Sequence, residues 1–310
     1  MLAFSTCWNS YRHTEGQDMV KEIQMLGFRA MEISHGARVT MFPGILKALE
    51  RLQGRFRVSG VHNFCPSPVE ILMDAPDAYE LSSKCHEEWN RAVKLTLQSI
   101  DTAARMNAEY LVMHLGSTPI KPRTLRLEKL ILSGQLNSRE YVREKIALVK
   151  AREAAGPAAL KRVGEALQSI VAHAEEKQVR LALESRSHFE QVPTEREMLA
   201  LLEEFSASPA VGYWHDFGHV QRKANLGLLD HEQWLRSVRD HLIGCHLHDV
   251  IWPERDHHVP FRGMINYDSL IPLLPADRPL VWEIHPKRHS SHIKTSLEAW
   301  KNRFSQYREE

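Results

Sequence analysis

Eight short apolar runs, each followed by amphipathic sequence, constrain this chain more than any other feature. The runs fall at residues 2–6, 28–33, 57–62, 109–114, 179–184, 211–216, 242–246 and 280–284. Each has the length and continuity of a buried strand. Between them, Val20, Ile23 and Leu26 stand at helical spacing before Gly27, and residues 43–52 form a short helix with Pro43 near its start. A longer helix covers 78–106, with Trp89, Val93, Leu97 and Ile100 on one face. Further helices are predicted from Pro157 to about 177, at 194–205, near 230–240, and in a closing segment that carries Leu297, Trp300 and Phe304. Alternating β and α elements imply a parallel sheet with helices outside. Eight such units in 310 residues predict an α/β fold, a closed (β/α)8 barrel forming a single domain over the whole chain. The rival is an open doubly wound sheet, but no glycine-rich phosphate fingerprint follows any strand. Residues 117–156 are longer than a βα connection needs and carry helical patterning of their own, so they read as a helical insertion after the fourth strand.

A parallel barrel builds its site at the C-terminal ends of its strands. Those ends fall at Glu32, His62, His114, Glu184, Asp216, His246 and Glu283. Carboxylates and imidazoles are costly to bury without partners. A ring of them at one end is best explained by a cation at its centre, with Glu184, Asp216, His246 and Glu283 the strongest candidates. Two local motifs add to this. In Asp216-Phe217-Gly218-His219, a tight glycine turn would bring Asp and His to one small site. In His246-Leu247-His248-Asp249, strand alternation would point both imidazoles into the mouth, with Asp249 placed to orient one of them. The following loop holds Arg255, Asp256, His257 and His258.

Composition excludes several classes. A net charge of +1 argues against a nucleic-acid binder. The four cysteines are scattered with no C-x-x-C pair, so neither a disulfide scaffold nor a zinc ribbon is expected. No run of about 18 apolar residues is present to span a membrane, and the first residues lack the pattern of a signal peptide. The expectation is a cytoplasmic protein.

In order and spacing, LVMHLGS at strand four, LALES at five, HDFGH at six, CHLHD at seven, HHVPFRGMINY in the next loop and VWEIHP at eight resemble the xylose-isomerase-like barrel superfamily, the sugar phosphate isomerases and epimerases. The resemblance covers essentially the whole chain. It implies a divalent-metal site whose ligands fall on Glu184, Asp216, His246 and Glu283. It also implies that His219 touches substrate near the metal and that His62 and His114 line the pocket. The loop departs from the commoner H-x-P-P-G-x-G-x-I-D form, with Phe261 in place of Gly and Asn266 in place of Asp.

Three carboxylates and one imidazole suit manganese first, then magnesium or cobalt, with zinc as an alternative. The chemistry expected is isomerisation or epimerisation of a small carbohydrate, a sugar or keto-sugar, through an enediolate. Glu184 and Glu283 would be both ligands and the acid/base pair. Glu32, His62, His114, His219, His248, His257 and Arg262 would contact the sugar. Arg12, Lys121, Arg123 and Arg262 leave room for a phosphorylated substrate. Three alternatives stand beside this reading. One is a lyase or dehydratase using the same enediolate. Another is a phosphodiesterase of the apurinic-endonuclease type, although Arg255-Asp256-His257 displaces one carboxylate of that pattern. The third is a catalytically silent barrel. The insertion at 117–156 would serve as a lid or as the contact of a homodimer.

Overall fold

The structure, a computed structural model, describes residues 1–71, 76–253 and 255–305. Its strands are β1 (Leu2–Ser5), β2 (Ala30–Ile33), β3 (Arg57–His62), β4 (Tyr110–Met113), β5 (Arg180–Glu184), β6 (Val211–Asp216), β7 (Leu242–Leu247), β8 (Asp249–Ile251), β9 (Arg255–His258) and β10 (Leu280–Trp282). All but β8 and β9 are parallel and close into one barrel, in the order β1, β10, β7, β6, β5, β4, β3, β2 and back to β1. The helices are α1 (Gly16–Leu26), α2 (Phe42–Leu52), α3 (His86–Arg105), α4 (Arg123–Leu132), α5 (Arg139–Lys177), α6 (Glu195–Glu204), α7 (Phe217–Asn225), α8 (His231–Val238), α9 (Tyr267–Leu270) and α10 (Ser290–Arg303). This is the (β/α)8 barrel that the eightfold alternation predicts. Among the described residues, no helix is long and apolar enough to cross a membrane.

Strand alternation sets the site on an apolar plug. Ala3, Ala30, Tyr110, Val112, Ala182, Trp214, Ile243 and Val281 form one buried cluster in the lumen. Two residues beyond several of these, on the same face of each strand, come Glu32, His114, Glu184, Asp216 and Glu283. Two glycines make the plug possible. A Cβ on Gly60 would lie 2.0 Å from the Tyr110 ring, and one on Gly244 would lie 2.4 Å from the Trp214 ring. Tyr110 and Trp214 fill that space against each other, with ring centroids 4.5 Å apart. His62 and His246 follow those glycines by two residues.

Four elements differ from the sequence expectation. The helix α3 starts at His86, because residues ahead of it are held as a loop in which the Ser82 hydroxyl donates to the Ser117 carbonyl at 2.8 Å. Pro157 does not open a helix; it lies inside α5, which runs unbroken for 39 residues. Gly156 explains this. It has no Cβ to crowd the proline ring, and a Cβ there would also lie 2.3 Å from Arg152 Nη1. Asp216-Phe217-Gly218-His219 is not a tight turn but the first turn of α7, with Asp216 as its N-cap accepting from the His219 N–H. The segment after β7, expected to be a loop, is a β8–β9 hairpin with Asp249 paired to His258. The side chain of Arg255 lies outside the described part of the structure.

At 1.5 Å per residue α5 is about 58 Å long, several times the length of a barrel strand. It runs outside the barrel and feeds β5, and its N-terminal half extends beyond the length of a strand. There it packs with α4, burying Leu127, Leu130, Tyr141 and Leu148 with Leu226 of the segment after α7.

Candidate metal centre

The four central side chains converge. Donor atoms of Glu184, Asp216, His246 and Glu283 lie within 4.8 Å of one another, and all four residues are buried. From His246 Nδ1, Glu184 Oε1 is 3.2 Å away, Glu283 Oε2 3.2 Å and Asp216 Oδ2 3.7 Å. A divalent cation with bonds of about 2.0–2.2 Å needs ligand edges of about 3.0–3.5 Å, so the set fits one. On the far side of the ring, His246 Nε2–H donates to Glu32 at 3.1 Å. That contact fixes the imidazole orientation and leaves Nδ1 facing the carboxylates.

Electrostatics follow from this crowding. Burial opposes ionisation of every member, yet the imidazoles and carboxylates hold each other charged. Burial would push the His246 imidazole down, but Glu283, Glu32 and Glu184 hold it well above its usual range. Against the same desolvation, His114 and His246 keep Glu184 well below the carboxylate range, and His246 and His257 do so for Glu283. His219 is the exception: burial outweighs Asp216 and Glu184 and brings it down to about 4.

Two outer imidazoles hang from the two glutamates in matching fashion. His114 Nδ1–H donates to Asp77 at 2.9 Å while Nε2 faces Glu184 Oε2 at 2.8 Å. His257 Nδ1–H donates to Asp256 at 3.1 Å while Nε2 faces Glu283 Oε2 at 3.3 Å. Arg222 ties Asp256 to Glu128 and so anchors the hairpin. The carboxylate displaced to Asp256 is therefore used, behind the imidazole. His62 Nε2 also meets Glu184, at 3.2 Å. His248 Nε2 donates to Asp216 at 2.9 Å, and its Nδ1 accepts the His257 N–H at 2.8 Å. The His248 and His257 rings stack with centroids 3.9 Å apart.

Some expectations land elsewhere. Glu32 is fully buried on His246 and orients that ring in place of lining open space. Asp249 does not orient an imidazole; it accepts the backbone N–H groups of Val250, Arg262, Gly263 and Ile265 and so folds the following loop. The Arg262 side chain is exposed. Arg12 pairs with Glu22 and stacks on Trp8, and Arg123 pairs with Glu144, so neither is presented as a phosphate clamp. Sequence reasoning missed Asp77, Arg186 and Arg222. Arg186 had a signal, lying two residues past Glu184; Asp77 sits in a loop with none.

The parallel barrel thus carries three carboxylates and an imidazole converging at its C-terminal mouth. The model of the xylose isomerase-like TIM barrel family matches residues 20–303, and the chain belongs to that family. Its fold matches a D-tagatose 3-epimerase-like protein with a TM-score of 0.67, 20% identity and coverage of 98% of this chain and 97% of that one. It matches 3-keto-D-glucoside 4-epimerase YcjR from E. coli at 0.67, with 14% identity and coverage of 97% and 98%. It matches an IolI protein with a bound zinc atom at 0.68, with 14% identity and coverage of 100% and 99%. These likenesses are of fold. An uncharacterized protein y4fM of Sinorhizobium fredii is 24% identical over 197 residues, 62% of this chain. The chain spans about half the length (51%) of that curated relative.

Proposed function

We propose that this chain is a divalent-metal-dependent isomerase or epimerase of a keto-sugar. The observation that carries the reading is the His246 Nδ1 atom facing three carboxylates at 3.2–3.7 Å with Glu32 fixing the ring from behind. The epimerase names carried by the fold relatives support it. Glu184, Asp216, His246 and Glu283 would hold the ion, with manganese, magnesium or cobalt favoured by the oxygen-rich set and zinc the alternative. Bound there, such an ion would supply Lewis-acid polarisation of a carbonyl and so acidify the neighbouring C–H. Glu184 and Glu283, three strands apart around the barrel, take and return the carbon-bound proton. His114 Nε2 and His257 Nε2 are within hydrogen-bond reach of those two carboxylates and orient substrate hydroxyls beside them. His62, His219 and His248 complete the wall.

The test is turnover of a keto-sugar panel in deuterated water, read by NMR, with metal content measured on the same protein. Solvent deuterium is expected at the carbon next to the carbonyl, and Glu184→Gln and Glu283→Gln should lower the rate by about 100-fold or more. Conversion by both variants at the wild-type rate would falsify the assignment. A lyase using the same enediolate would show itself by release of a leaving group.

A second reading has an observation of its own. Asp216, His219, His248 and His257 form another group of donors close enough to share an ion, as do His62, Glu184 and His246. A site for several ions would suit a phosphodiesterase. About three metals per chain with incision of abasic DNA would select it; one metal with no incision selects the isomerase.

A further inference from the structure

One buried cation at the mouth carries polar atoms that have no partner among the described residues. The Arg186 side chain is 3% exposed, and its Nη2 donates to both oxygens of Asp77 at 2.8 and 3.0 Å. Asp77 accepts from His114, and His114 faces Glu184. Arg186 is thus the third link outward from a central glutamate. Yet its Nε and Nη1 are buried and make no hydrogen bond among the described residues. His188 Nε2, two residues along the same loop, is buried and unpartnered as well. Burial lowers the basicity of His188, and the positive charges of Arg222 and Arg186 add to this.

Arg152 provides the internal contrast. It is equally buried, but its Nε donates to the Phe189 carbonyl, its Nη2 to the Gln191 carbonyl, and both terminal nitrogens to Glu197. Every nitrogen of the Arg152 guanidinium is therefore satisfied. A buried donor left open beside a site calls for a partner, which water, an ion or a bound ligand can supply.

We propose that Arg186 is a substrate-binding residue whose free Nε–H and Nη1–H groups hold a carboxylate of the sugar, so that the substrate is a keto-sugar acid. This rests on the isomerase reading given above. A guanidinium offers only N–H groups. A carboxylate offers only acceptors and matches its planar fork, whereas a sugar hydroxyl brings a proton that Arg186 cannot accept. Asp77 Oδ1 already accepts from both Arg186 and His114, and Oδ2 accepts from Arg186.

The test uses the full chain loaded with manganese and two probes that lack a reactive carbonyl, D-gluconate and its neutral counterpart sorbitol. Calorimetry should show gluconate binding at least tenfold tighter. Arg186→Met should abolish that preference without changing manganese affinity, and Arg186→Lys, which keeps the charge beside Asp77, should retain part of it. Equal binding of the two probes by the wild-type chain overturns the proposal without recourse to any variant. A preference that survives Arg186→Met overturns it too, because the ion is then the carboxylate's partner. Deuterium exchange into neutral keto-sugars as fast as into their acids defeats this inference and leaves the isomerase reading standing; exchange into neither defeats both.

Discussion

Gly218 and His248 share a space that a methyl group would close. A Cβ on Gly218 would lie 1.9 Å from His248 Cε1. Gly218→Ala must therefore push the His248 ring off Asp216, one of the central carboxylates. Removing such an outer partner costs about 10–100-fold in metal affinity, which calorimetric titration with manganese would read while circular dichroism checks that the barrel is intact. Unchanged affinity would mean that Asp216 needs no support from His248. Behind the same strand a buried polar chain runs in one direction. Trp234 Nε1–H donates to Tyr213, whose hydroxyl donates to His215 Nδ1 at 2.9 Å. His215 Nε2–H donates to His231 Nε2 at 3.0 Å, and His231 Nδ1–H to Gln221 at 2.9 Å. The chain works only with neutral imidazoles. Burial outweighs Asp230 and Asp216 and brings His231 down to about 4. The unfolded chain takes up that proton near its ordinary value of about 6.5. Stability is therefore lost as the pH falls from there, by about 2 kcal/mol at pH 5 from this group. Urea unfolding at pH 7 and pH 5 should show a smaller loss for His231→Gln than for the wild type. Equal losses would remove His231 from the account.

At the scale of elements, α5 is held across its proline by Arg152. The guanidinium joins α5 to the loop after β5 and, through Glu197, to α6. Arg152→Met leaves Glu197 without its cation and two carbonyls unanswered, and should cost about 3 kcal/mol, measured by chemical unfolding. A loss below about 1 kcal/mol would show that helix packing alone carries α5 past Pro157. The same helix shows where sequence reading stops. A proline with apolar periodicity on both sides reads as a helix start, because the compensation by Gly156 and Arg152 exists only in three dimensions. Gly218 reads as a turn for a similar reason: glycine is a poor helix former, and its true cause, the His248 ring, is thirty residues away. The hairpin strand β9 is a charged run without alternation, so nothing local distinguishes it from a loop. The barrel strands, by contrast, were legible because burial on both faces leaves continuous apolar runs. Their final residues were legible because alternation places each one beyond a lumen residue. What stayed hidden was the outer layer. Asp77 acts through His114 and Arg222 through Asp256, contacts that depend on which segments the closed barrel brings together.

For the molecule as a whole, the central cluster draws on four strands, β5, β6, β7 and β10, that are distant in sequence. An ion held there binds the folded chain and not the unfolded one, so it stabilises the entire barrel. At a concentration 1,000 times its dissociation constant the gain is about 4 kcal/mol. The thermal midpoint should rise with added manganese and return with chelator, and Glu283→Gln should blunt the response. A midpoint indifferent to manganese, magnesium, cobalt and zinc would sink the metal centre. The plug beneath the cluster has a consequence of another kind. Trp214 stands edge-on to His246, with ring centroids 5.1 Å apart and planes at 74°. Its indole emission is therefore exposed to whatever charge the neighbouring ring carries. Filling the site changes that charge, so the light emitted by this one tryptophan should shift on metal addition, and Trp214→Phe should take the signal away. The floor of the barrel thus serves as a built-in optical gauge of occupancy that needs no label and no substrate.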